Sequence, residues 1–201
     1  MNRTITAKPV HKSLADSIKN LMRQKPFESI TVEEICLNAG ISRRSFYRHF
    51  QDKHDLLNWI FDYDFFGRLE YYEDWNIWDY FYVICEFLYQ DRKFYANAFT
   101  SGQNSSREFC DRQLRPILHR DFMGTFKNQE EENYWLNMLL ALGYDTLVAW
   151  LRSDESLTPA EFVEKVRDSH RRAATKYADL CGRGLADNCR EVAHKMREDV
   201  R

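Results

Sequence analysis

One short run, Thr31 to Leu57 (TVEEICLNAGISRRSFYRHFQDKHDLL), packs three helix starts together and leaves little freedom in how the chain can fold around them. Thr31 is a good N-cap, and Glu34 three residues later completes a capping box, with Ile30 and Ile35 placed as a hydrophobic staple. Val32, Ile35 and Cys36 recur at helical spacing and give this helix a face to bury. Ala39-Gly40 ends it, because glycine takes the left-handed conformation without a Cβ clash. Ser42 caps the next helix, where Ile41 and Phe46 form a second staple. Phe46 and Phe50, four apart, face inward and leave Arg43, Arg44, Tyr47 and Arg48 outward. Asp52 caps a third helix running from Lys53 through Leu56, Leu57 and Ile60. The turn between the first two helices is so short that they must cross steeply, and the second is pushed out of the domain.

An outward helix rich in arginine and nearly free of acid is the pattern of a helix-turn-helix that lies against DNA. The run resembles the N-terminal DNA-binding domain of the TetR family of bacterial transcriptional regulators. The features that carry the resemblance begin with an amphipathic first helix (Leu14, Ile18, Leu21), followed by Phe27, Ile30, Thr31, Val32 and Ile35. Ala39-Gly40-Ile41-Ser42 comes next, then Phe46, Tyr47, His49, Phe50, Asp52, Lys53, Leu56 and Leu57. The close match covers roughly the first third of the chain. Beyond it the likeness is looser, although the string from Tyr134 to Glu161, with Trp150-Leu151 and Thr158-Pro159-Ala160-Glu161, looks like the closing helices of one C-terminal subgroup. The resemblance implies an all-α, TetR-like fold. It would comprise a three-helix helix-turn-helix domain over residues 1–55 and a helical effector-binding and dimerisation domain over 56–201.

Charge follows the same division. Through Phe61 the basic residues are ten (Arg3, Lys8, Lys12, Lys19, Arg23, Lys25, Arg43, Arg44, Arg48, Lys53) against six acids (Asp16, Glu28, Glu33, Glu34, Asp52, Asp55). Of the chain's 29 basic and 31 acidic residues, 19 and 25 remain for the rest, so a net of −2 hides a basic head on an acidic body. Basic residues neutralise phosphates and release counterions, which supplies affinity and makes it salt-dependent. A solvated helix face would also carry arginines, but here they cluster on the outward side of a recognisable turn.

The expected DNA-facing set is Thr31, Ser42, Arg43, Arg44, Ser45, Tyr47, Arg48, His49 and Lys53. The resemblance implies that Tyr47 and Lys53 grip phosphates, and that His49 occupies a contact position, where it also fits as a partly buried spacer. Thr31 offers phosphate a hydroxyl and a backbone N–H. Arg43, Arg44 and Ser45 lie at the start of the recognition helix, where side chains reach base edges. A bidentate arginine on guanine gives about 1–3 kcal/mol of discrimination, and both arginines serve equally well as phosphate clamps.

Few glycines (7) and prolines (4), and no alternating strand pattern, point to an all-helical chain. No signal-like stretch or long apolar run is evident, so a cytoplasmic protein without a membrane contact is expected. Five cysteines (Cys36, Cys85, Cys110, Cys181, Cys189) without CxxC spacing suit a reducing compartment and argue against a disulfide scaffold or structural zinc. No metal or cofactor is expected. No phosphate loop, nucleophile elbow or HExxH helix is present, and the six histidines are scattered, so an enzyme is not expected. His119 with Asp121, and Glu130-Glu131-Glu132, read as solvated helix ends.

Sixteen of the 30 aromatic residues fall between Trp59 and Tyr95. Most are core. Trp75, Trp78, Tyr82, Phe99 and Tyr144 are the candidates to line a cavity for a small-molecule effector, which the resemblance implies. From Tyr134 to Leu151 a helix is apolar on two faces: Leu136, Leu140, Gly143, Leu147 and Trp150 form one stripe, and Trp135, Leu139, Leu142 and Ala149 the other. The next helix, capped by Thr158, carries Phe162, Val166, Ala173, Tyr177 and Leu180. The resemblance implies a homodimer closed by a four-helix interface of these two helices, with Leu136, Leu140, Gly143, Leu147, Trp150, Phe162, Val166 and Ala173 as its residues. Such a dimer sets two recognition helices on successive major grooves of a palindromic site in double-stranded DNA. A ligand-responsive repressor is the first expectation; the alternative is an activator or co-regulator whose signal is a protein partner.

Overall fold

A computed structural model describes residues 9–64, 72–100, 105–153 and 157–181. The tail after Gly184 and the thiols of Cys181 and Cys189 lie outside the described residues. The described residues contain no strand, and the fold is all-α. It falls into two compact units, residues 1–163 and 164–201.

The first unit opens with α1 (Pro9–Met22), a 3-10 turn (Phe27–Ser29), α2 (Val32–Ala39), α3 (Arg43–Tyr47) and α4 (Lys53–Asp64). Leu14, Ile18 and Met22 of α1 meet Phe27, Ile30, Ile35, Phe46, Leu56, Leu57 and Ile60 in a buried core. Each such side chain contributes roughly 1.5–3 kcal/mol on leaving water. Ser17 on α1 donates to the Ile35 carbonyl at 2.8 Å and receives Asn38 Nδ2 at 3.2 Å, so the one buried serine of α1 is satisfied by α2.

Among the described residues of this unit there follow α5 (Ile77–Gln90), α6 (Arg92–Ala98), α7 (Ser105–Asp121) and α8 (Gln129–Arg152). A capping box between Asn76 and Asp79 starts α5. Asp91 alone separates α5 from α6, in a non-helical conformation (φ −133°, ψ 52°). The end of α8 is held by Arg92, whose guanidinium donates to the carbonyls of Leu151 (2.9 Å), Trp150 (2.7 Å) and Ser153. Trp150 itself is stacked between Tyr89 and Phe162, with ring centroids at 5.7 and 4.5 Å.

Helix α8 starts earlier than the apolar pattern at Tyr134 indicates, because Asn128 caps it at the Glu131 N–H and three glutamates follow in its first turn, favoured by the helix dipole. Its two apolar stripes are also not equivalent. Leu136, Leu147 and Trp150 are buried in the protomer's own core, with Leu140 and Gly143 half-buried. Phe162 is buried too, through its stack on Trp150. Leu136, Leu147 and Trp150 of the stripe expected at a partner are therefore occupied within the protomer. Solvent meets the opposite face, where Trp135 is 38%, Met138 53% and Leu142 51% exposed, with Ala149 exposed as well.

Helix α9 spans Pro159–Cys181 and starts on a Thr158–Glu161 capping pair, the Glu161 N–H reaching Thr158 Oγ1 at 3.3 Å and the carboxylate returning to the Thr158 N–H at 2.9 Å. The part of α9 inside the second unit is laced by ion pairs of Asp168 with Arg171 and Arg172. Val166 there is half-buried, and Ala173, Tyr177 and Leu180 are exposed.

Candidate nucleic-acid interface

The helix-turn-helix forms by the local chemistry its sequence carries. Thr31 accepts the Glu34 N–H (3.2 Å), and the Glu34 carboxylate accepts the Thr31 N–H (2.9 Å), closing the capping box. Gly40 ends α2 at φ +65°, ψ 28°, where a side chain would be strained. Ser42 accepts the Ser45 N–H at 3.2 Å and starts α3. Asp52 accepts the N–H groups of His54 and Asp55, both at 2.8 Å, and starts α4.

Helix α3 is short. It ends at Tyr47, and Arg48 is its C-cap, so Arg48 and His49 sit in a tight turn instead of a continuing helix. Burying both Phe46 and Phe50 pulls the chain back to the core there, with the Phe50 N–H bonded to the Phe46 carbonyl at 2.9 Å. Ser42, Arg43, Arg44, Tyr47 and Arg48 are exposed, and Ser45 is half-buried. Arg48 donates to Ser45 Oγ at 3.2 Å. The surface thus offers three guanidinium groups and a phenol on a five-residue helix and the turn that ends it, pinned from below by two phenylalanines.

His49 is half-buried. Its Nδ1 lies 3.3 Å from Nε2 of His11 on α1, and His11 packs against a tilted Phe50 ring and edge-on against Trp59. The spacer reading of His49 describes this arrangement. His11 carried no signal in the sequence, since it becomes a neighbour of His49 only when α1 folds over the turn. Leu37 on α2 is 82% exposed, a large apolar side chain outside the buried face of that helix.

Two expected phosphate ligands are committed internally. The Lys53 ammonium donates to three backbone carbonyls, Phe27 (2.9 Å), Glu28 (3.1 Å) and Ile30 (2.9 Å), and lies 4.5 Å from the centroid of the Phe27 ring. All three of its donors are used, so the side chain ties α4 to the 3-10 turn in this structure. Thr31 is likewise engaged, its N–H and hydroxyl both directed to Glu34 Oε2 at 2.9 and 3.0 Å.

Lys25 also pairs with Glu34 at 2.5 Å. That bond first, then those from the Thr31 N–H and hydroxyl, hold the Glu34 carboxyl at about 2, below its ordinary 4.5. The folded-state value is the lower one, so this contribution to stability is complete above 4.5 and is lost as pH falls toward 2. Replacing Glu34 with Gln is expected to flatten the acid limb of the stability profile in this window and leave its slope near neutrality unchanged, read by denaturant unfolding at stepped pH.

Among the described residues the five candidate pocket residues make separate contacts. Phe99 and Tyr144 are in contact at 5.5 Å, and the Tyr144 hydroxyl is taken up by the Phe99 carbonyl (2.8 Å) and Ser106 (3.0 Å). Trp75 stacks on Tyr72, Trp78 meets Phe81, and Tyr82 is exposed and bonded to Glu86. A described cavity of about 540 Å³ lies elsewhere, as an open groove between α7 and α8 lined by Arg112, Arg115, His119, Gln129, Asn133 and Leu136 among others. At its side His119 pairs with Glu132, a buried carboxylate that the sequence places in a solvated run. Among the described residues no group of three metal-ligating side chains occurs, and no helix is long and apolar enough to cross a membrane.

Residues 14–60 match the sequence profile described as "Bacterial regulatory proteins, tetR family", and residues 76–171 match "Transcriptional regulator C-terminal region". The HTH-type dhaKLM operon transcriptional activator DhaS of Lactococcus lactis subsp. lactis (strain IL1403) is 30% identical over 99 residues, which are 49% of this chain. The matched region spans about half, 53%, of that relative's length. Among solved structures, a TetR transcriptional regulator from Streptococcus agalactiae 2603V superposes with a TM-score of 0.59 at 19% identity, covering 78% of this chain and 90% of that one. A dihydroxyacetone kinase operon activator DhaS gives 0.54 at 19% identity, covering 79% and 92%. At such identities the structural likenesses speak for the fold.

Proposed function

We propose a role on DNA for this chain, which belongs to the TetR family of bacterial regulatory proteins: it is a sequence-specific transcriptional regulator that reads double-stranded DNA through α3. The observation that carries this reading is the capped, phenylalanine-anchored α3, which presents Arg43, Arg44, Tyr47 and Arg48 to solvent on the basic part of the chain. Arg43 and Arg44 at the helix start are the base readers, and Tyr47 and Arg48 grip phosphate. No enzymatic activity is part of this role.

The protein acts as a homodimer on a two-fold-related DNA site. Support comes from the exposed face of α8, where Trp135, Met138 and Leu142 recur at three-four spacing, the pattern of a helix that packs on another helix. Large exposed apolar strips of this kind mark interaction surfaces. The direction of regulation favoured here is activation, since a curated relative is named a transcriptional activator. A small-molecule effector remains part of the proposal.

The experiment is selection of genomic fragments by the purified protein at near-physiological salt, followed by binding of variants to the recovered site. Arg44→Ala is expected to weaken the selected site by about 1–3 kcal/mol and scrambled DNA far less. Tyr47→Ala should weaken both alike. If neither change alters binding, α3 is not the DNA surface.

A further inference from the structure

Asn97 on α6 makes three hydrogen bonds to the segment that leads into the helix-turn-helix. Its Nδ2 donates to the carbonyls of Met22 (2.7 Å) and Lys25 (2.8 Å), and its Oδ1 accepts the Phe27 N–H at 3.0 Å. Two donors and one acceptor leave no ambiguity in the amide's orientation. The side chain therefore closes the open C-terminal end of α1 and starts the 3-10 turn, two backbone demands that the local sequence leaves unmet. The same turn is held from the other side by Lys53, through the Phe27, Glu28 and Ile30 carbonyls, and by the edge of His54 against Phe27 at 4.8 Å.

Helix α6 is firmly attached to the rest of the unit. Phe94, Tyr95 and Ala98 are buried, the Tyr95 hydroxyl donates to Asp64 at 3.3 Å, and Asp64 pairs with Lys19 of α1. At its start, Asp91 accepts Arg23 Nε at 3.0 Å. A shift of α6 is thus delivered to the Phe27–Ser29 turn, and from there, within two residues, to the Thr31 cap of α2.

We propose that Asn97 is a positioning residue for DNA recognition, through which α6 sets the orientation of α2 and α3; this rests on the DNA-binding role proposed above. Base contacts need side chains held to about 0.5 Å and 10–20°. Phosphate contacts carry no sequence information and tolerate more. Loosening the turn should therefore cost specificity before it costs affinity.

The test compares wild type, Asn97→Ala, Asn97→Asp, Tyr47→Ala and Leu88→Ala on the site selected by the wild type and on a scrambled duplex of equal length. Leu88 is buried in α5 and serves as a change that destabilises without touching the turn. Both Asn97 variants are expected to bind the selected site about tenfold more weakly and the scrambled duplex within about twofold of wild type. Amide exchange should quicken from Phe27 through Tyr47. Leu88→Ala should lower the unfolding midpoint and leave the ratio of the two affinities unchanged. If Asn97→Ala does not fold, Asn97→Asp, which keeps the acceptor for the Phe27 N–H, decides. An unchanged ratio in the folded Asn97 variants, or an equal loss in Leu88→Ala, overturns the proposal alone. A wild type that selects no site, with Tyr47→Ala indistinguishable from it, overturns the DNA-binding role and this proposal together.

Discussion

Replacing Lys53 with Met is expected to lower the unfolding free energy by about 2–3 kcal/mol, because three carbonyls lose a charged donor at once. The ammonium bonds Phe27, Glu28 and Ile30, which lie 26, 25 and 23 residues away in sequence, so the loss separates α4 from the turn before α2. Arginine should not rescue it. A planar fork cannot aim at three carbonyls grouped around a point charge. The outcome also separates two roles for this residue. A phosphate ligand would reduce the salt dependence of DNA binding by about one counterion when removed. A clamp leaves the salt slope of the folded protein as it was and moves the denaturant midpoint. A full salt-slope change with an unmoved midpoint would return Lys53 to the DNA surface.

Placing Glu at both Met138 and Leu142 is expected to give a folded monomer. A two-fold interface repeats each change, and every carboxylate buried without a partner costs about 3–5 kcal/mol. Both positions are half-exposed in the protomer, so the fold itself should tolerate the charges. Leu147→Glu provides the contrast, since Leu147 is buried in the protomer and its substitution should unfold the chain. Sedimentation and light scattering at micromolar concentration read the first result, and circular dichroism the second. A dimer of undiminished stability in the double variant would remove this face of α8 from the interface.

The legible parts of this chain are those fixed by residues three or four apart. The capping pairs Thr31–Glu34 and Thr158–Glu161, the Gly40 stop, the Ser42 cap and the inward Phe46 and Phe50 all follow from local chemistry that tertiary context does not override. The facing of α8 was not legible, because its two apolar stripes are nearly equal and only the neighbouring helices decide which is buried. Roles that depend on distant partners were also hidden. Lys53 looks like a free cation until the turn at Phe27 is folded against it, and Asn97 is an unremarkable polar residue until it reaches a segment some 70 residues earlier. The role of the aromatic-rich stretch is not legible for a different reason: rings supply walls for a cavity and filling for a core equally well, and composition does not separate the two.

The junction of α5 and α6 bears on how this sequence can drift. Asp91 holds Arg23 at the end of α1, and the very next residue, Arg92, holds the last carbonyls of α8. Adjacent residues thus grip the ends of two different helices with no spare chain between them. One inserted or deleted residue would turn everything downstream by about 100° of helix and break at least one grip. The turn at residues 123–125 between α7 and α8, by contrast, is exposed and can lengthen at little cost. Insertions and deletions among relatives should therefore collect at residues 123–125 and spare residues 90–92, whatever substitutions those positions accept.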